Sequence, residues 1–156
     1  MDPPADRRLL ERLADFCDRY TPLVALDLPQ GLVLDITGGS HLWGGEPVML
    51  AEIARRVRGL GFAVRAAIAG TAAGALVLAR GASGAIVAAN RQAAAVAGLP
   101  IATLRLDPGL AELAERFGLR RIGELAAQAR GPLARRLRPA TLTLLDEVLG
   151  LRATGV

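Results

Sequence analysis

The sequence predicts an α+β fold, and three observations carry that expectation. Two short apolar runs, 23–26 and 32–36, flank a Pro-Gly turn and read as a β-hairpin. Stretches with a helical apolar period stand before and after that hairpin, at 6–19 and 46–59. Beyond Gly98-Leu99-Pro100 no strand pattern returns, and only short helical stretches follow.

Residues 6–19 place Leu9, Leu10, Leu13, Phe16 and Cys17 on one face of a helix, with Asp6 as its expected N-cap. Pro22 ends that segment. The second arm of the hairpin, Leu32-Val33-Leu34-Asp35-Ile36, is nearly all apolar and reads as a central, buried strand. The Gly-rich loop Thr37 to Gly45 then opens the 46–59 helix, with Val48, Met49, Ile53, Ala54 and Val57 expected inward and Arg55, Arg56 and Arg58 outward. A third strand is expected at 62–69 and a fourth at 85–87. Between them, Thr71 should cap an Ala-rich helix at 72–80. Helix, hairpin, helix, strand on one sheet is ferredoxin-like in outline, with the helices on one face of a mixed or antiparallel sheet. The C-terminal part reads as a small all-helical lobe, with helices near 108–117, 121–129, 132–137 and 140–149. The expected domains are therefore 1–97 and 98–156.

Composition narrows the function. The chain has 156 residues, 52% of them apolar and only 3% aromatic, so its core is built from Leu, Ala, Val and Ile. All nineteen basic residues are arginine, and the formal net charge is +4. Residues 98–156 hold nine arginines against six acids, whereas 1–97 are close to neutral. A polyanion partner is expected to meet the C-terminal part, through Arg120, Arg121, Arg130, Arg135, Arg136 and Arg138. One cysteine excludes an internal disulfide. Neither a signal peptide nor an uncharged apolar run of membrane-span length stands in the sequence, so no membrane partner is expected and the location is expected to be cytoplasmic and nucleoid-associated.

Candidates for chemistry are sparse. Asp27 and Asp35 lie on opposite arms of the hairpin, and one pair of acids is less than a two-metal site requires. Cys17 falls on an apolar helix face, and His41 is the sole histidine. Gly38-Gly39 and Gly44-Gly45 match neither a P-loop nor a dinucleotide fingerprint.

Three blocks carry a resemblance. Tyr20-Thr21-Pro22-Leu23-Val24 and Leu32-Val33-Leu34-Asp35-Ile36-Thr37-Gly38 resemble the palm of Y-family translesion DNA polymerases, which shows Tyr-Ser-Pro-x-Val-Glu and then Ser-Ile-Asp-Glu-Ala-(Tyr/Phe)-Leu-Asp-Val-Thr-Gly. Gly61-Phe62 through Ile68-Ala69 is similar to the strand that ends in Gly-Ile-Ala. Phe117-Gly118-Leu119-Arg120-Arg121-Ile122-Gly123-Glu124-Leu125 is similar to the Leu-Gly-Ile-x-Thr-Ile-Gly-Asp-Leu pattern of the thumb. The Asp-Glu metal pair of that family falls on Gln30 and Gly31, neither of which can neutralise Mg²⁺.

Arg19-Tyr20-Thr21-Pro22 and His41-Leu42-Trp43-Gly44-Gly45-Glu46 further resemble the ImuB-type branch, whose members lack the catalytic acids. The resemblance implies a palm remainder followed by a thumb, and a non-catalytic, DNA-binding adaptor in damage-induced translesion synthesis and mutagenesis. It implies primer-template DNA, a RecA-like ImuA-type protein, an error-prone C-family polymerase and the sliding clamp as partners, the last through regions outside this chain. It also implies that the chain is a piece, with a first palm strand and fingers before residue 1. No cofactor is expected. Mg²⁺ enters only under the alternative of an active nucleotidyltransferase whose other ligands lie outside these residues. A pure protein-interaction module is the remaining alternative.

Overall fold

The computed structural model describes residues 3–27 and 30–153 and is α+β. Contacts within the described residues divide the chain into two compact units, one up to residue 65 and the other from residue 66 onward.

In the first unit α1 (Pro3–Cys17) leads into β1 (Val24–Asp27) and β2 (Gly31–Leu34), which pair antiparallel, and then α2 (Glu46–Gly59). The register sets Val24 opposite Leu34 and Leu26 opposite Leu32. These four side chains share one face, and that face is covered. Leu26 and Leu32 pack against Leu10 and Leu13 of α1 and Val57 of α2. Val24, Leu32 and Leu34 pack against the cluster of Cys17, Tyr20 and Met49. Both helices therefore lie on the same side of the hairpin, because only one of its faces carries the larger apolar side chains. Thr21 ties the start of β1 to the end of β2. Its hydroxyl donates to the Asp35 carbonyl at 2.7 Å and accepts from the Leu23 N–H at 3.1 Å.

The second unit is helical: α3 (Ala72–Gly81), α4 (Gln92–Ala97), α5 (Pro108–Arg116), α6 (Ile122–Ala129) and α7 (Pro139–Val148). Val77, Leu78, Val96, Ile122, Leu125, Leu133, Leu145 and Val148 form its core. A buried amide crosses that core. The Gln92 Nε2 donates to the Thr71 hydroxyl at 2.7 Å and the Val148 carbonyl at 2.9 Å, and its Oε1 accepts from the Gly70 N–H at 3.0 Å. The Thr71 hydroxyl in turn donates to the Glu147 carbonyl at 2.6 Å and accepts from the Gly74 N–H at 3.1 Å, capping α3. One glutamine thus joins the first turn of α3 to the last turn of α7.

Several expectations need correction. Helix α1 starts at Pro3, so Asp6 lies in its first turn and not at its N-cap. Leu9 and Val48, expected inward, are largely exposed. The second hairpin arm is half-buried and lies at an edge of a two-stranded sheet, because among the described residues only β1 pairs with it. Residues 62–65 alternate in burial as a strand does, but no ladder forms there. Ile68 and Ile86 make a single parallel bridge in place of the expected strands. Residues 132–137 form consecutive turns and not a helix. Gly131-Pro132 and Pro139 leave too few residues between them to repay helix nucleation.

Replacing Gln92 by Leu keeps the volume but strands the Gly70 N–H and the Val148 carbonyl. Urea denaturation should show a loss of roughly 2–3 kcal/mol. The buried Tyr20 hydroxyl has no hydrogen-bond partner among the described residues. Tyr20→Phe should therefore leave stability unchanged or raise it by up to about 1 kcal/mol in the same measurement.

Candidate nucleic-acid interface

Two places could carry function: the second face of the hairpin and the arginine surface of the helical unit.

The second hairpin face follows from the strand period, and its residues are half-buried like those of the first. Ala25, Asp27, Gly31 and Val33 alternate with the covered residues, and Asp35 continues that set. Pro29 lies outside the described residues. Gln30 is an exposed turn residue. Gly31 stands opposite Asp27, and a Cβ on it would lie 3.0 Å from the Asp27 carboxylate, so Asp27 fills the space that a side chain at 31 would need. Asp35 is occupied by its own turn. Its Oδ1 accepts from the Thr37 hydroxyl at 2.6 Å and the Thr37 N–H at 3.0 Å. These bonds, the hydroxyl's foremost, hold the carboxyl below its ordinary range. Asp35 N–H bonds to the Leu23 carbonyl, so the two acids are separated by four residues of strand. At the strand rise that is about 13 Å, too far for both to ligate one ion. No cluster of three or more metal-ligating side chains exists among the described residues. Cys17 is buried, and burial pushes its thiol up, away from nucleophilic use. His41 is exposed in a short 3₁₀ turn.

The arginine surface is better built. The unit spanning 66–154 holds eleven arginines against six acids, whereas residues 1–65 hold eight against nine. Arg120 and Arg121 follow the turn that ends α5. Ile101 N–H bonds to the Arg120 carbonyl at 2.9 Å and Ile122 N–H to the Leu99 carbonyl at 3.0 Å, clamping this pair against 99–101. Arg121 spends its guanidinium on the Gly98 carbonyl, and its N–H donates to Glu124 at 3.2 Å. Arg130 caps α6. Arg135, Arg136 and Arg138 stand between and just after buried Leu133 and Leu137, which turn inward while the intervening residues face outward. All six side chains are exposed, and none makes an ion pair among the described residues.

Arg136 also reaches over the Phe117 ring, 5.8 Å from its centroid. That contact brings Arg136 against the residue that ends α5. Sequence reasoning missed it. The available signal was one of only three phenylalanines, set between Arg116 and Gly118 at a helix end.

The helical unit thus presents exposed guanidinium groups in excess of its acids, a charge balance that favours polyanions. Over 150 residues, 96% of its length, the chain is 47% identical to Protein ImuB of Caulobacter vibrioides, in both strain NA1000 / CB15N and strain CB 15. The match covers 33% of that protein, so the chain spans about a third of the length of the relatives it matches. No protein-family model matches it, and no solved structure does. Over this stretch the chain is similar to ImuB.

The Asp35 turn has a pH dependence with a fixed sign. A depressed carboxyl pKa adds stability above the ordinary carboxylate range and loses it as pH falls through the lowered value. In an NMR titration, Thr37→Val should move the Asp35 midpoint up toward that of a free aspartate.

Proposed function

We propose that this chain is the part of an ImuB-type protein that lies along the DNA backbone, a non-catalytic DNA-binding and adaptor component of damage-induced translesion synthesis and mutagenesis. The observation that carries the reading is the excess of arginine in the helical unit, where Arg136 also lies over the Phe117 ring. Backbone phosphates are alike at every base, so a surface of this kind holds primer-template DNA without reading its sequence. The relationship to ImuB and the palm-like and thumb-like sequence blocks support the same setting.

The hairpin supports the non-catalytic half of the proposal. Gln30 and Gly31 stand where a polymerase of this type needs acids, and Asp27 and Asp35 are too far apart to replace them. Two-metal phosphoryl transfer fails without ligands that converge on both ions. The adaptor role would then lie in recruitment of a RecA-like ImuA-type protein, an error-prone C-family polymerase and the sliding clamp by the longer protein.

Fluorescence anisotropy with labelled primer-template DNA tests the DNA contact. Affinity should fall steeply as salt rises. Arg120→Ala and Arg135→Ala should each weaken binding to all sequences alike and lower the salt slope by about one. Affinity indifferent to salt would remove the proposal. Primer extension by the longer protein, abolished by Asp35→Ala, would overturn its non-catalytic half.

A further inference from the structure

Phe117 is exposed to 45% in a chain with very few aromatic residues. Burial does not explain it, since the core of the helical unit is complete without it. The turn that holds it is rigid. Phe117 N–H bonds to the Leu113 carbonyl at 3.1 Å, Gly118 N–H to Glu115 at 2.9 Å and Leu119 N–H to Ala114 at 2.9 Å, with Gly118 left-handed at φ +70°. This Schellman-type closure sends Leu119 against the core and leaves Phe117 outside. Arginines surround the ring in sequence at 116, 120 and 121, and Arg136 approaches its face.

From this we infer that Phe117 and Arg136 form a stacking platform for an unpaired base, so that the arginine surface takes single-stranded nucleic acid or the unpaired template beside a primer end. The inference rests on the DNA-binding reading above and adds the class of ligand. A fixed aromatic ring within a cationic surface supplies the two things that a flexible single strand offers partners for, a π-face and a phosphate. A duplex offers only its phosphates there, because its bases are stacked on one another. An apolar protein partner would use the ring for its area alone, and Leu would serve nearly as well.

The test uses the whole chain with two ligands of equal charge: a single-stranded oligonucleotide, and the same backbone with abasic sites in place of its bases. The wild-type chain should bind the base-bearing strand about tenfold more tightly. Phe117→Leu should close most of that gap while leaving affinity for the abasic strand and the thermal midpoint unchanged, and Phe117→Trp should keep it. Equal affinity of the wild type for both strands, or a gap that survives Phe117→Leu, overturns the stacking platform and leaves the backbone-binding reading standing. Failure to bind either strand or the duplex overturns both.

Discussion

The helical unit depends on one buried amide. Gln92 is fully enclosed, and every hydrogen bond it makes ends on backbone or on the Thr71 hydroxyl. A buried polar group is costly unless satisfied, but a satisfied one admits a single arrangement of its partners. Leu, Val and Ala side chains could pack in many ways around five short helices. The amide fixes the start of α3 against the end of α7, and the apolar core fills in around that join. The turns carrying Arg120 and Arg136 are thereby anchored to a core of defined geometry.

In the hairpin unit the organising constraint is a single covered face. Leu26, Leu32, Val24 and Leu34 bind both helices to one side, so the alternating set, including both acids, is turned the other way. The two acids are held apart by strand geometry, and each has a local role or neighbour: Asp27 lies over Gly31, and Asp35 closes the turn with Thr37. Thr21 and the Asp35 turn close the open end of the hairpin.

Helices were legible where the sequence carried both a period and a terminus. α2 runs from Glu46 to Gly59 as expected, because Gly45 and Pro47 mark its start and the apolar stripe is regular. α3 and α5 begin where Thr71 and Asp107 cap them. α4 went unread, since Gln92 to Ala97 is short, alanine-rich and without a side-chain cap. Strands were less legible. Residues 62–69 have the composition of a strand, and 62–65 its alternating burial, but a ladder needs a partner, and local composition does not say whether one is adjacent. The exposed arginines were readable as a charge excess. The placement of Arg136 over Phe117 was not, because it depends on the contact between the end of α5 and the turns after α6.

The close approach at Gly74 has an evolutionary consequence. A Cβ at that position would lie 2.0 Å from the Gln92 Nε2, inside any tolerable separation. Positions 74 and 92 are thus bound to drift as a pair: a lineage that gains a methyl at 74 must shorten residue 92 in the same step or pass through a disrupted intermediate. In homologous chains of this length, glycine at the one should travel with glutamine at the other, a covariation that marks the join between α3 and α7 without any reference to DNA.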